Sequence, residues 1–265
     1  MSERAARVIV VGALGRMGER VRAALAAEPG LRLGAALEAK GHPRLGEKLE
    51  GSVVVGSDVA AALRDGDVVI DFSIPASTLP LLRQAAASGL ACVVGTTGFT
   101  PAELEEIVGL AAKIPIVHAP NFSVSVNVLT HLVAEAARLL GPSYDAEIVE
   151  LHHAAKRDAP SGTALALAAA IATARGEKLA EHAVLAREGD IGPRPAGTIG
   201  MQSLRGGDNP GEHTVLFLGA GERLELVHRA ATRDHFARGA VRAARWLLGR
   251  GPGLHDMSEV LGLSR

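Results

Sequence analysis

The stretch VVGALGRMG, residues 10–18, decides the fold. It ends the β-branched run RVIVV (7–11) and leads into an Ala/Arg-rich segment with helical character over 18–27. A strand that turns at once into a helix, with glycines at the turn, predicts a dinucleotide-binding βα unit. Gly12, Gly15 and Gly18 are spaced GxxGxxG, with Ala13 where the first glycine of GxGxxG would fall. Small residues here permit a tight turn and let backbone N–H groups approach a pyrophosphate at the helix N-terminus. Glu38 follows twenty residues after Gly18, at the end of the next apolar run 31–38. An acid at that point accepts hydrogen bonds from the adenosine ribose hydroxyls. The alternative is a glycine-rich turn used for packing alone; Glu38 speaks against it. Two residues on, Lys40 is either a solvated surface lysine or a partner for the 2′-phosphate of NADPH.

Outward from this unit, short apolar runs at 53–55, 68–71, 92–94 and 114–117 alternate with Ala/Leu-rich helical stretches. Continuous apolar strands are expected when helices cover both sheet faces. The first half therefore predicts an α/β, doubly wound, parallel sheet of Rossmann-like type. The pattern changes after about Asn121. A long helix is expected over 123–140 with Ser123 as N-cap, a strand over 145–151, and a second helix from Ser161. Region 183–230 is strand-rich, and HTVLFLG, Ala220-Gly221 and ERLELVH suggest a hairpin. This predicts a second, α+β domain with a mixed or antiparallel sheet. A final helix over 234–248 carries Phe236, Ala240, Val241, Ala244 and Leu247/Leu248 at helical spacing.

The chain has 265 residues, 48% of them hydrophobic and 22% charged, with net charge −1, which suits two modest globular domains. That charge offers no electrostatic footprint for nucleic acid or an anionic membrane. Aromatics are only 3%, so the core must be aliphatic and stacking on bases is not expected. Cys92 is the single cysteine, which fits a reducing compartment. The early apolar run 8–14 is too short for a signal peptide or a membrane span, so a cytoplasmic location is expected.

Three further stretches carry chemistry. Gly95-Thr96-Thr97-Gly98 follows a strand, where ligands of open α/β sheets sit, although such sequences also make ordinary turns. Ala119-Pro120-Asn121-Phe122 follows the next strand, and Asn121 can equally be a local turn residue. ELHHAAKRDAPSGTA, residues 150–164, gathers His152, His153 and Lys156 at a strand end. Ser161-Gly162-Thr163 then opens a helix. An imidazole and an ammonium offer a proton donor and a fixed cation, and the helix start offers free N–H groups. Together these suit a small dicarboxylate. Adjacent histidines lack the i, i+4 spacing of a helical zinc pair and there is no cysteine pair, so no metal is expected. Ser161 stands at an N-cap without a Gly-x-Ser-x-Gly context, which argues against a nucleophile.

Seven stretches together resemble the dihydrodipicolinate reductase family: VVGALGRMG, VVGTTGF (93–99), APNFSVSVNV (119–128), the 150–164 block, REG with GTIG between 187 and 200, GEHTVLF (211–217) and FARGAVRAARWL (236–247). The resemblance spans nearly the whole chain. Ser125 departs from a glycine common in the family. Ala39 stands where some members carry an arginine after the ribose-binding acid, with Lys40 as a substitute.

The resemblance implies reduction of a cyclic imine dicarboxylate to tetrahydrodipicolinate, in diaminopimelate and lysine biosynthesis, with NADH or NADPH. It implies that His152 donates the proton and Lys156 stabilises the developing anion. His153, Gly162 and Thr163, with Thr97, would contact the substrate. Gly12, Ala13, Leu14, Gly15, Arg16, Met17, Glu38, Gly95, Thr96, Thr97, Ala119, Pro120, Asn121 and Phe122 would contact the cofactor. The implied domains are 1–122 with 234–265 for the dinucleotide, and 123–233 for substrate and for assembly into a homotetramer through its sheet. Two other readings are a related dehydrogenase of another small imino or amino acid, and a non-catalytic dinucleotide-binding protein. The intact 150–164 block argues against the first, and retention of His152 and Lys156 against the second.

Overall fold

A computed structural model describes residues 4–263. In chain order the first elements are β1 (Ala6–Val11), α1 (Arg16–Ala26), β2 (Leu31–Leu37), β3 (Val55–Gly56), α2 (Val59–Asp65), β4 (Val68–Asp71), α3 (Pro75–Ser88), β5 (Ala91–Val94), α4 (Pro101–Ala111) and β6 (Pro115–His118). There follow α5 (Val124–Leu140), β7 (Asp145–His152), α6 (Gly162–Ala174), α7 (Leu179–His182), β8 (Ala183–Val184), β9 (Ile199–Arg205), β10 (Glu212–Leu218) and β11 (Arg223–Arg229). The chain closes with α8 (Asp234–Leu247), β12 (Gly253–His255) and α9 (Met257–Leu261). No helix among the described residues is long and apolar enough to cross a membrane.

The chain divides into two compact units, Met1–Val124 with Asp234–Arg265, and Ser125–Arg233. The first holds a parallel seven-stranded sheet in the order β3-β2-β1-β4-β5-β6-β12. The strand direction of progression reverses at β1, the switch point of a doubly wound sheet. Alternate residues of each strand feed separate cores, which is why the runs are apolar throughout. Val8, Val10, Val68, Ile70, Val93 and Val117 pack on one face with residues of α1, α8 and α9. Ile9, Val69, Cys92, Val94 and Ile116 pack on the other with α2, α3 and α4.

Some local expectations shift. The run 53–55 yields a two-residue strand, because Val54 is bridged to Lys48 and leaves only Val55–Gly56 to pair with β2. Phe236 is only half-buried on α8 and Leu248 lies beyond it; Ala237, Ala240, Ala243 and Ala244 form the packed face. These alanines let the helix approach closely. At Gly239 a Cβ would lie 1.7 Å from the Phe122 carbonyl oxygen, so no side chain fits there.

The second unit holds a mixed five-stranded sheet, β11-β10-β7-β9-β8. β10 runs antiparallel to β7 and β11, while β9 runs parallel to β7 and β8. The expected hairpin is β10–β11, closed by the Gly219 N–H donating to the Glu222 carbonyl at 3.0 Å. On one face Ala146, Ile148, Ile199, Met201, Val215 and Phe217 bury against Leu129 and Val133 of α5 and Leu167 and Ile171 of α6. The same face turns polar at the end of β7, where Glu150 and His152 continue the alternation.

Candidate active site

In the first unit, β1 hands the chain to α1 through a turn that needs glycine at set positions. Gly12 has φ +67, and Gly15 donates its N–H to the Gly12 carbonyl at 3.0 Å. A Cβ on Gly18 would lie 2.0 Å from that carbonyl oxygen, so the third glycine brings α1 onto β1. Gly15 is the N-cap and has no side chain to satisfy the first turn of α1. The amide groups there keep their capacity to bind an anion. A cavity of about 290 Å³ lies over this turn, lined by Gly12, Leu14, Gly15, Arg16, Met17, Gly18, Glu38, His42 and Phe72. Ala13 is buried beneath. Glu38 follows β2 and accepts a hydrogen bond from the Leu14 N–H at 2.7 Å. Lys40 is exposed in the turn beyond it.

The Gly95–Gly98 loop leaves β5 beside a buried polar cluster. Thr78 Oγ1 donates to Asp71 Oδ2 at 2.6 Å and meets Thr96 Oγ1 at 2.9 Å. Burial pushes the Asp71 carboxyl above its ordinary range, against hydrogen bonds from Ser73 and Thr78 that pull it down. Gly95 packs on Phe72, whose ring would meet a Cβ at 2.2 Å, while Thr97 is exposed. Ala119 and Phe122 are buried, Pro120 is exposed, and Asn121 Oδ1 accepts from the Ser123 N–H at 2.8 Å. Phe122 meets Phe72 edge-on at 5.5 Å.

The second unit places a separate constellation at the end of β7. Glu150 is fully buried and the hydrogen-bonded partner of His152 Nδ1. Arg205 grips the same carboxylate with both Nη atoms, at 3.0 and 2.9 Å. The Ser161 N–H adds a third donor at 3.2 Å. Ser161 caps α6, accepting from the Ala164 N–H at 3.1 Å, and also meets His213 Nε2 at 3.1 Å. His213 stacks edge-on to His152, with ring centres 5.2 Å apart.

Electrostatics follow from this packing. Burial acts to raise the Glu150 carboxyl, but hydrogen bonds from Arg205, Ser203 and His152 outweigh it and hold Glu150 below its usual range. Burial lowers the His152 imidazole, opposed by the hydrogen bond and charge of Glu150. Burial, aided by the neighbouring His152, pushes His213 down to about 4. Glu150, His152 and His213 have ligand-type atoms within 4.8 Å of one another. The Glu150 oxygens are already taken by a guanidinium and a backbone N–H, which makes the group a hydrogen-bond network rather than an open set of metal ligands.

Lys156 is drawn by Asp158, at 2.8 and 2.9 Å, in the loop ahead of α6. His153 Nε2 meets Arg233 Nη2 at 3.2 Å. Gly162 is exposed and Thr163 half-buried on the first turn of α6. The structure thus gathers His152, His153, Lys156, Gly162 and Thr163 around one strand end and one helix start. Sequence reasoning left Glu150, Arg205, His213 and Ser161 out of this network, and Phe72 and His42 out of the cavity. A signal for Glu150 did exist: residues 146, 148, 150 and 152 alternate onto one strand face.

Residues 6–122 match the family described as dihydrodipicolinate reductase, N-terminus, and residues 125–261 match dihydrodipicolinate reductase, C-terminus. The chain belongs to the dihydrodipicolinate reductase family. It is an oxidoreductase. The 4-hydroxy-tetrahydrodipicolinate reductase of Desulfotalea psychrophila is 50% identical over 264 residues, covering 97% of this chain and 98% of the relative. That of Syntrophobacter fumaroxidans is 49% identical, covering 97% and 99%. A dipicolinate-bound dihydrodipicolinate reductase from Paenisporosarcina sp. TG-14 superposes with TM-score 0.81 at 27% identity, covering 96% of this chain and 98% of that one. The two constellations lie one in each unit: a glycine-rich turn beside a cavity in the first, and a strand end bearing histidines and a lysine in the second.

Proposed function

We propose that this chain reduces 4-hydroxy-tetrahydrodipicolinate to tetrahydrodipicolinate, with NADH or NADPH, in diaminopimelate and lysine biosynthesis. The observation that carries this reading is the end of β7, where a buried imidazole on a carboxylate faces a helix start and a lysine.

The turn after β1 fits a dinucleotide: its first helical turn lacks a side-chain cap, and its glycines leave no Cβ in the way. Gly12, Ala13, Leu14, Gly15, Arg16 and Met17 would hold the pyrophosphate, and Glu38 the ribose hydroxyls. Gly95, Thr96, Thr97, Ala119, Pro120, Asn121 and Phe122 would border the nicotinamide. When bound, the nucleotide supplies a hydride to the conjugated carbon of the substrate.

His152 protonates the neighbouring carbon, and Lys156 stabilises the negative charge that develops before it does so. Asp158 holds Lys156 in the loop until a substrate carboxylate competes for it. Gly162 and Thr163 receive a carboxylate at the start of α6, with His153 and Thr97 as further contacts. The enzyme works in the cytoplasm as a homotetramer built on the sheet of the second unit.

The test compares His152→Gln and Lys156→Ala. His152→Gln is expected to lower turnover by ~10²–10⁴-fold, the usual worth of general acid catalysis, with substrate affinity nearly intact. Lys156→Ala is expected to lower turnover and also to weaken binding of a planar dicarboxylate inhibitor, since a fixed cation is lost. NADH affinity should survive both. Near-normal turnover in His152→Gln would overturn the assignment and make His153 the next candidate for the acid.

A further inference from the structure

The strand that presents His152 also controls which of its nitrogens carries the proton. Glu150 stands two residues earlier on β7, so both side chains leave the same face of the sheet. The ionised carboxylate can only accept hydrogen bonds, so the His152 nitrogen that meets it, Nδ1, must be the one bearing hydrogen. The carboxylate itself cannot turn away. Arg205 on β9 holds both oxygens, and the Ser161 N–H ahead of α6 holds Oε1. His152 Nε2 points to Gly211, where a Cβ would lie 2.8 Å from it. A side chain at 211 would press on that nitrogen, and glycine spares it that contact.

We propose that Glu150, anchored by Arg205, is a positioning residue that keeps a proton on His152 Nδ1 and so makes Nε2 the atom that delivers the proton to substrate. This rests on the reading of His152 as the acid. The imidazolium starts with hydrogen on both nitrogens. The carbon that carries the electron pair after hydride addition takes the Nε2 hydrogen, forming a C–H bond as the N–H bond breaks. The ring is left neutral with hydrogen on Nδ1, and Nε2 takes a new proton from solvent before the next turnover. Glu150 stays ionised throughout.

The charged and titratable groups facing the ring are Glu150 on β7, Lys156 in the following loop, Arg205 on β9 and His213 on β10, with His228 of β11 behind His213. Burial disfavours the imidazolium most, Glu150 favours it, and Lys156 and Arg205 oppose it. Removing Glu150 and removing Arg205 therefore act in opposite directions.

The experiment is nitrogen NMR of histidine-labelled protein across pH, together with pH profiles of turnover, for wild type, Glu150→Gln, Arg205→Gln and His152→Gln; the last assigns the ring signals. Neutral His152 in wild type should show hydrogen on Nδ1. In Glu150→Gln its titration midpoint and the alkaline limb of turnover should move to lower pH, and turnover should fall by about tenfold or more. In Arg205→Gln the midpoint should move to higher pH. A wild-type ring with hydrogen on Nε2 overturns the proposal, as does a midpoint that stays put or moves the wrong way in either variant. If Glu150→Gln does not fold, the wild-type tautomer and the Arg205→Gln midpoint still decide. Retained turnover in His152→Gln would overturn the acid assignment. An inactive His152→Gln beside a Glu150→Gln with wild-type turnover and ring signals would overturn the positioning role alone.

Discussion

His213 is 4% exposed, with Ser161 on one ring nitrogen and, among the described residues, no hydrogen-bond partner on the other, Nδ1. Its pKa falls from an ordinary 6.5 to about 4 because the interior penalises the charged ring. A depressed folded-state pKa means the unfolded chain binds a proton first. The stability contribution is therefore complete above about pH 6.5 and drains away as pH falls toward about 4. We expect urea unfolding free energy to decline across that window, and His213→Gln to flatten the decline; an equally steep variant would refute the assignment. A second residue-scale expectation concerns cofactor choice. Glu38 disfavours a 2′-phosphate, and exposed Lys40 tolerates one. Steady-state kinetics should show use of both nucleotides, with NADH equal or preferred; an NADPH preference above about a hundredfold, roughly 2.7 kcal/mol, would contradict it. The candidates His152, Lys156 and Glu38 were visible in the sequence because residue type and position beside a turn point to chemistry. Arg205 was not, because its meaning lies in a pairing with Glu150 across 55 residues. Only the parallel register of β7 with β9 brings the two together.

At the scale of elements, strands with both faces buried were the most legible, since each is a short run of β-branched residues with few competing readings. The ends were less so: β3 shrank to two residues, and β12 with α9 went unread because GLH and MSEVL are too short to show a period. The helix α8 was readable as a helix, but its buried stripe is built from alanines more than from the larger residues that mark the pattern. That choice has a physical reason in Gly239, whose α-carbon lies against the Phe122 carbonyl. Gly239→Ala must therefore push α8 away from residues 119–122 or distort the loop. Overpacking of this kind costs ~1–3 kcal/mol, and each kcal/mol lowers Tm by about 2–4 °C in a chain of this size. Because Phe122 packs on Phe72 at the edge of the nucleotide cavity, NADH affinity should fall with it. Unchanged melting and unchanged NADH binding would show that the contact relaxes freely.

At the scale of the whole molecule, the outer face of the second sheet sets apolar side chains among polar ones such as Glu212, Arg229, Glu147 and Glu225. Leu204 pairs with Leu151, and Gln202, Val149, Thr214 and Val227 form the next row across β9, β7, β10 and β11. Leu216 and Leu218 extend the band along β10, while Leu204 and Val227 are 51% and 44% exposed. A sheet with one wet face alternates apolar with polar residues; this one carries apolar side chains on both. Arg187 and Arg194 from the loop after β8 reach over to Glu147 and cover only one end of that face. Apolar side chains left in water favour association, and a strand face offers a second copy a self-complementary surface. On the homotetramer proposed above, the wild-type chain is expected to sediment at four times its 27.3 kDa mass at micromolar concentration. Val227→Glu places a carboxylate in the middle of that band, and should shift the mass to a smaller species. Its site is on the opposite sheet face from His152, so the shift should occur with NADH binding retained. A wild-type monomer, or a Val227→Glu variant that stays at the wild-type mass, would place the assembly surface elsewhere.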